Sequence, residues 1–293
     1  MEKMFVTTIK EGWATPYLGA YDNEISVNDF AETDKNIELI NFNAKVKNLH
    51  LLPHFKSIKY VGIDTITPSL VELLTQLPNL QILSISGNRQ ENWPALKSIL
   101  SLKYIILYNI KKLSSLEFLR GMTQLESLFL SEVLKLNDIS ALETTPNIRE
   151  LALEGNLHGQ SSVLPNVDAL FTLKKMEYLN FFSKKTIFNA ADFSKIRALK
   201  YLRLSPRRYP FEFYAELERY LPESCERIHT PMFTAYLREA CEKCGSTEFL
   251  MALGSRQREF CPTCNKKKLD KLLNSYETLS GKNAKTAFVK ALL

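Results

Sequence analysis

The chain has 293 residues, of which 45% are hydrophobic and 24% are charged. This composition is ordinary for a globular protein with a substantial core, and it excludes a disordered or low-complexity chain. The first residues contain no apolar stretch long enough for a signal peptide, and no segment approaches the roughly 18 apolar residues of a membrane span. We therefore expect a soluble, cytoplasmic protein that has no membrane partner.

An apolar pattern of the form L-x-x-L-x-L repeats along most of the chain. Successive copies are offset by 21, 22, 22, 23, 23, 28 and 23 residues. Such a period predicts a solenoid, in which each repeat contributes one short strand and neighbouring repeats must stack to bury their apolar faces. The copies begin at Ile37, Ile58, Leu80, Leu102, Leu125, Ile148, Met176 and Leu199.

The period, together with the asparagines that end two repeats at Asn88 and Asn156, resembles that of leucine-rich repeats. The stretch LNDISALETTPNIRELALEGN is also similar to the short repeats of internalins and related bacterial leucine-rich proteins. The resemblance covers about residues 35–206. It implies an α/β solenoid, a curved leucine-rich repeat with a parallel sheet on its concave side, and a bacterial origin.

The remaining segments are predicted from what a solenoid needs. Apolar residues in the return segments suit short helices or 3₁₀ turns, and the 28-residue offset marks an inserted loop near HGQSSVLPN. Both ends of the stack require caps. One cap is a helix at FYAELERYL with an apolar face of Phe213, Leu217, Tyr220 and Leu221. We predict an N-terminal cap at 1–34, about eight repeats at 35–206, a C-terminal cap helix and linker at 207–234, a zinc ribbon at 235–265 and a helical tail at 266–293.

The third, fifth and seventh positions of each repeat are predicted to share one side of the sheet, because side chains alternate along a strand. We call this side the concave face; eight strands would extend it over roughly 34 Å. It is rich in aromatic residues, which are typical of protein interfaces, and it carries an acidic pair and an arginine. Alternatively, the aromatic residues are only good strand formers and the acidic pair a solvated edge. The predicted partner-binding residues are Tyr60, Tyr104, Tyr108, Phe129, Glu150, Glu154, Tyr178, Phe182, Tyr201 and Arg203.

Near the end of the chain, four of the five cysteines form two C-x-x-C pairs, at Cys241, Cys244, Cys261 and Cys264. In a reducing compartment this spacing favours a structural Zn²⁺ site over disulfides. Four thiolates complete a tetrahedral shell, which leaves no position for a reacting water. Gly245 and Pro262 resemble residues of zinc-ribbon knuckles, and the sequence between the pairs suits a β-hairpin that turns near Gly254. The segment KKKLDKLLNSYETL is predicted to be an amphipathic helix.

The positive charge is concentrated at this end. Residues 235–293 contain 11 Lys and Arg against 6 Asp and Glu, whereas the whole chain has a net charge of +6. Three roles of the ribbon are therefore compatible with the sequence: contact with nucleic acid, docking of a protein, or a purely structural cap.

The sequence has no phosphate-binding glycine motif and no H-E-x-x-H metalloprotease motif. Cys225 and His229 could form a nucleophile and a base on one helix, as a ligase or transferase would need. Only 68 residues follow Cys225, whereas the leucine-rich bacterial ubiquitin ligases carry a large helical domain after their repeats.

We therefore expect a non-enzymatic scaffold that binds a folded protein, not a small-molecule substrate, on its concave face. An immunity or antitoxin-like inhibitor is one such scaffold. The alternatives are a nucleic-acid-associated adaptor that uses the basic ribbon, and a ligase or transferase that uses Cys225.

Overall fold

The computed structural model describes residues 24–156, 159–184, 186–205, 208–223, 225–227, 232–236, 240–254 and 259–283. The chain divides into two compact units, Met1–Ile187 and Phe188–Leu293. The boundary lies inside the range predicted for the repeats, so the last repeat belongs to the second unit.

The first unit is built on parallel strands that follow one another in chain order, each pairing with the next. This arrangement confirms the predicted α/β solenoid of leucine-rich repeats. The strands are β1 (Ile25–Ser26), β2 (Leu39–Phe42), β3 (Tyr60–Ile63), β4 (Ile82–Ser86), β5 (Tyr104–Tyr108), β6 (Ser127–Ser131), β7 (Glu150–Glu154) and β8 (Tyr178–Phe181).

Equivalent positions of successive repeats lie side by side in the sheet. Leu83 of β4 pairs with Ile105 of β5, which is followed by Leu128 of β6 and Leu151 of β7. All four side chains are at most 2% exposed, because they point to the inner side of the solenoid, where the return segments cover them. A nearly constant repeat length therefore places the same position of each repeat in a continuous row of core residues.

The return segments form the short helices that the sequence predicts. One is an α-helix, α1 (Pro68–Leu74), in which Pro68 stands in the first turn and the Thr67 hydroxyl caps the helix by accepting from Leu70 N–H. The others are 3₁₀ helices, at Leu49–His54, Glu117–Leu119, Ser140–Thr144 and Asp168–Thr172.

A left-handed residue follows the strand in three consecutive repeats. Gly87, Asn109 and Glu132 have φ values of 67°, 54° and 56°, and each donates its N–H to the last residue of the next strand. This backbone region is comfortable for Gly and acceptable for Asn, but it is unfavourable for Glu. The repeat therefore imposes the same turn at Glu132, although this backbone conformation is unfavourable for Glu.

The two asparagines that end repeats have different partners. Asn88 is buried and donates to Asp64 O, so it joins its repeat to the preceding one. Asn156 instead bonds to Gln160, four residues onward, through its own side chain and the Gln160 N–H. The insertion after Asn156 supplies this local partner.

The second unit combines the last repeat with the cysteine-rich region. Strands β9 (Tyr201–Leu204) and β10 (Glu226–Arg227) pair in parallel, and a 3₁₀ helix spans Ala190–Lys195. Helix α2 (Phe211–Tyr220) follows β9. Three antiparallel strands come next: β11 (Met232–Tyr236), β12 (Glu248–Ala252) and β13 (Glu259–Phe260). The unit's described part closes with helix α3 (Lys266–Ser280), which ends at Gly281 in the left-handed conformation.

Helices α2 and α3 share one core with the hairpin. The predicted helix in the tail is confirmed, and its apolar side packs against Ala215 of α2 and against Leu250 and Ala252 of β12. That side consists of Leu269, Leu272, Leu273, Tyr276 and Leu279. The cysteine-rich hairpin is therefore part of a larger core and does not have to fold alone.

One detail of the cap helix was predicted wrongly. Tyr220 is 39% exposed, whereas Tyr214 and Ala215 are almost completely buried together with the predicted Phe213 and Leu217. The hydroxyl of Tyr214 donates to Ser205 O, which gives this polar ring a reason to point inward. Periodicity alone does not reveal such a partner.

None of the helices in the described ranges combines the length and the hydropathy needed to cross a membrane.

The stacked rows predict a strong contrast between two leucines of the same region. Leu128→Ala removes a side chain that is 0% exposed and should lower the free energy of unfolding by about 2–5 kcal/mol. Leu100→Ala is the control, because Leu100 is 79% exposed and should change it by less than about 0.5 kcal/mol. Urea unfolding monitored by circular dichroism measures both, and equal effects would contradict the assigned register.

Candidate functional site

The sheet register brings the predicted concave positions into contiguous columns in the first unit. The third column runs Leu39, Tyr60, Ile82, Tyr104, Ser127, Glu150, Tyr178. The fifth runs Asn41, Gly62, Ser84, Ile106, Phe129, Ala152, Asn180. The concave face is therefore one uninterrupted surface across β2 to β8.

The centre of this face differs from the expected exposed aromatic surface. Tyr60 is 1% exposed, Tyr104 is 9% and Phe129 is 2%, and all three belong to one apolar cluster with Ile82, Ile106 and Ala152. Strands β3 to β7 are consequently buried on both faces, which is the burial that parallel sheets usually have. The part of these residues in partner binding stays a prediction.

The margin of the face remains accessible to solvent. Tyr108 and Glu154, at the seventh positions of β5 and β7, are half-buried, as are Tyr178 and Phe182. The Tyr108 hydroxyl lies 3.5 Å from Glu132 Oε1, and desolvation and this carboxylate together raise the pKa of Tyr108. A partner that approaches the face would meet these margin residues first.

Three of the eight buried side-chain atoms that lack a hydrogen bond in the described part of the chain lie on the same face. Within the described residues, Ser84 Oγ, Glu150 Oε2 and Asn180 Oδ1 have no partner although their residues are at most 8% exposed. Ser84 and Asn180 lie in the fifth column and Glu150 in the third. Each such atom costs about 1–3 kcal/mol, so an arriving donor would gain strongly from pairing with it. Ser84 and Asn180 were missing from the predicted set because a sequence shows their column but not their missing partners.

The acidic pair on β7 has two environments. Burial raises the pKa of Glu150 to about 7; a hydrogen bond from Ser127 opposes the shift, and the carboxylates of Glu177 and Glu126 reinforce it. Glu154 instead accepts a hydrogen bond from the Asn180 side-chain amide. The Glu150 carboxyl is therefore only partly ionised near neutral pH, whereas the Glu154 carboxylate is fixed in position by its hydrogen bond with Asn180.

Two predicted residues, Tyr201 and Arg203, belong to β9 in the second unit. Tyr201 is 3% exposed, whereas Arg203 is half-buried.

The four cysteines predicted to bind metal converge in the second unit. Their Sγ atoms all lie within 4.8 Å of one another, and no disulfide joins them. Cys241 Sγ is 3.9 Å from Cys264 Sγ, and Cys244 Sγ is 3.4 Å from Cys261 Sγ. Zn–S bonds of about 2.3 Å in a tetrahedron require sulfur separations of about 3.8 Å, so this donor set fits Zn²⁺.

Tight backbone turns present the sulfur atoms. Gly245 has a φ of 73° and donates its N–H to Cys241 O, and the Cys241 N–H in turn donates to Ser246 O. In the second pair, Asn265 N–H donates to Cys261 O, and the Asn265 side chain accepts from Cys261 N–H. Asn265 then precedes α3, so the second turn also sets the start of that helix.

The thiols need a cation in order to ionise together. The backbone N–H of Cys264 lowers the pKa of the Cys261 thiol to about 7, although burial opposes the shift. The neighbouring Cys244 raises the pKa of the Cys264 thiol to about 12, and burial adds to this effect. One thiolate is therefore favoured and further ones are penalised, which is the situation that a bound divalent cation relieves.

The candidate nucleophile, Cys225, is 5% exposed. Its predicted base, His229, lies outside the described residues. A nucleophile must reach its substrate, so the burial of Cys225 is better suited to a packing role.

No protein-family model matches the chain, and no curated protein matches it either. Solved structures with similar folds include two Listeria monocytogenes proteins. One is an internalin (inlF), with a TM-score of 0.47 and 17% identity over 67% of this chain and 64% of the internalin. The other is internalin C2, with a TM-score of 0.40 and 17% identity over 58% and 71%. A leucine-rich repeat protein of Leptospira interrogans, LIC12759, has a TM-score of 0.45 and 13% identity over 70% and 58%.

This chain thus spans less than two thirds of the inlF internalin. Its assignment to the leucine-rich repeat fold rests on its own period and register.

The raised pKa of Glu150 predicts a pH-dependent stability. Because its pKa is about 7 when folded and 4.5 ordinarily, the penalty for ionising it is absent below about pH 4.5 and complete above about pH 7. Glu150→Gln should therefore increase the free energy of unfolding by about 2–3 kcal/mol near pH 8 and by little near pH 4.5. Glu72→Gln is the control, because Glu72 is exposed on α1. A gain that does not depend on pH would contradict the assigned environment.

The cysteine cluster predicts one bound zinc per chain. Cys261→Ser should abolish zinc binding, which plasma mass spectrometry of the purified protein measures directly. Cys225→Ser is a matched control, since Cys225 is also buried but is not part of the cluster. Chelation of the wild-type protein should lower its melting temperature, because the metal ties the hairpin to the start of α3. Equal zinc contents in the two variants would contradict the assignment.

Proposed function

We propose that the chain is a non-enzymatic scaffold that binds a folded protein on the concave face of its first unit. The observation that carries this proposal is the group of unpaired buried polar atoms, Ser84 Oγ, Glu150 Oε2 and Asn180 Oδ1, on a continuous apolar sheet. A partner that reaches these atoms and donates hydrogen bonds to them would remove their desolvation cost.

The dimensions of the face favour a protein over a metabolite. Seven strands, β2 to β8, span about 29 Å, which corresponds to the width of a small domain. The accessible margin offers aromatic rings at Tyr108, Tyr178 and Phe182, and such rings contribute strongly to protein interfaces. An immunity or antitoxin-like inhibitor would use such a surface to occlude a toxin, and this is the specific scaffold that we propose to test first.

A scaffold role also agrees with the burial of Cys225, the candidate nucleophile. The cysteine cluster uses all four of its thiolates as ligands in the proposed metal site, so it offers no open coordination position for catalysis. The zinc would therefore stabilise the second unit and take no part in a reaction.

A second candidate function, binding of nucleic acid by the ribbon, has one specific observation in its favour. Lys266, Lys267 and Lys268 are all exposed at the start of α3, directly after the Cys264–Asn265 turn. Clustered lysines contact phosphates in a sequence-independent way, and such binding weakens steeply as salt rises. A protein interface of aromatic residues would depend much less on salt.

The scaffold proposal is tested by photocrosslinking in the cells that naturally produce the protein. A photoreactive amino acid in place of Tyr108 should give one discrete crosslinked protein, identified by mass spectrometry. The same substitution at Leu100, which is 79% exposed, is the control and should not give this product. Glu154→Lys, introduced together with the Tyr108 probe, should weaken the crosslink by reversing a charge at the margin.

Three outcomes would count against the concave face. Products of equal yield from positions 108 and 100 would indicate nonspecific contact. An unchanged yield with Glu154→Lys would exclude the margin of β7 from the interface. A product that nuclease treatment removes would favour the nucleic-acid function instead.

A further inference from the structure

The return segments of the first unit follow one plan with one exception. Between β2 and β8, each of them contains a short helix except the segment that joins β4 to β5. In that segment Trp93 precedes Pro94, which disfavours the helical conformation at Trp93. The Leu96 N–H then donates to Phe118 O of the next return segment, 3.0 Å away, and not to a carbonyl of its own turn. The segment is therefore extended where its neighbours are helical.

A groove of about 430 Å³ lies between this extended segment and the return segment that follows it. Its apolar lining includes Trp93, Leu113 and Phe118. None of the lining residues belongs to a strand, so the groove is separate from the columns of the concave face. Ligand pockets commonly measure about 300–1,000 Å³, so the groove is large enough for a short stretch of peptide.

Trp93 presents part of its ring to the groove. The ring packs against the buried ring of Phe118, with the two centroids 4.9 Å apart, and its Nε1–H donates to Gln90 O. The indole nitrogen thus has a partner within the chain, and the half-buried ring leaves an apolar π surface accessible. Such a surface attracts either another aromatic ring or a cation.

The charged residues at the rim of the groove decide between these two ligands. The Glu91 carboxylate is paired with Lys112 at 2.8 Å. The Glu117 carboxylate is paired with Arg120 at 2.5 Å. Lys97, in contrast, is exposed and forms no ion pair with any residue that the structure describes. Its uncompensated positive charge repels a cation and attracts an anion.

The exposure of the rim favours a peptide over a metabolite. Glu91, Lys97, Glu117 and Arg120 are all exposed, so the groove does not enclose a ligand on all sides as pockets for small molecules do. A peptide chain that continues beyond the groove does not need such enclosure.

We propose that this groove binds a peptide segment of another protein in which an aromatic residue is flanked by acidic residues. The aromatic side chain packs on Trp93, and a neighbouring carboxylate pairs with Lys97. The groove is then a second docking surface of the first unit, and it does not depend on the function proposed for the concave face.

Tryptophan fluorescence of the full-length chain tests this site. The sequence contains two tryptophans, so Trp13→Phe leaves Trp93 as the reporter. The probes are four capped synthetic peptides, EEFEE, QQFQQ, EEAEE and KKFKK, which differ in charge or in the aromatic residue. EEFEE should shift the Trp93 emission to shorter wavelength in a saturable way, because the ring loses contact with water. QQFQQ should bind about fivefold more weakly, as the loss of a partly exposed ion pair predicts, and EEAEE should give no shift.

A charge reversal at the rim tests the role of Lys97. Lys97→Glu in the same background should weaken the binding of EEFEE by about fivefold or more and leave that of QQFQQ unchanged. Lys45→Glu is the matched control, because Lys45 is also an exposed lysine but does not line the groove. It should change neither affinity, and circular dichroism verifies that both variants fold like the parent.

Several results would overturn the proposal. The absence of a saturable shift with EEFEE, or an equal shift with EEAEE, would show that no aromatic side chain packs on Trp93. Equal affinities for EEFEE and QQFQQ, or tighter binding of KKFKK, would show that the groove does not select an anion. Equal losses in the Lys97→Glu and Lys45→Glu variants would indicate a general effect of charge. None of these results bears on the concave face, so the scaffold function stands or fails separately.

Discussion

The first unit depends on one constraint: residues at equivalent positions of successive repeats must stack on one another. A single four- or five-residue strand has too little apolar surface to be stable, so each repeat is buried by the one before and the one after it. Rows such as Leu83, Ile105, Leu128 and Leu151 form the core only if every return segment restores the register. The left-handed turn at Glu132 illustrates the strength of this demand, since an unfavourable residue adopts the geometry of its neighbours.

The same register creates the functional candidate. Side chains alternate along each strand, so a row of core residues on one side of the sheet implies a row of equivalent residues on the concave side. The residue types in this second row can vary without disturbing the stacking of the repeats. Here its centre is apolar, its edge carries aromatic rings, and a few polar atoms lack partners. In the second unit the constraint is different: two helices and a hairpin share a small core, and the cysteine cluster connects the hairpin to α3.

The sequence predicted what depends on periodicity and spacing. The repeat period indicated the parallel solenoid and the columns of the concave face, and the C-x-x-C pairs indicated the convergence of four sulfur atoms. Properties that depend on neighbours distant in sequence were not predictable. The burial of Tyr60 and Phe129, the pairing of β11 with β12 and the inward hydroxyl of Tyr214 all require knowledge of what lies opposite. The hydrogen bond between Asn156 and Gln160 likewise depends on the geometry of the insertion.

The proposed function requires that the concave face is occupied when the protein works in its cell. Hydroxyl-radical footprinting tests this most directly, by comparing side-chain oxidation of the purified chain with that of the same chain inside its native cells. We expect lower oxidation of Tyr108, Tyr178 and Phe182 in cells, with exposed Leu100 unchanged as the internal reference. Equal oxidation of the three margin residues in both settings would contradict the claim that this face is where the protein acts.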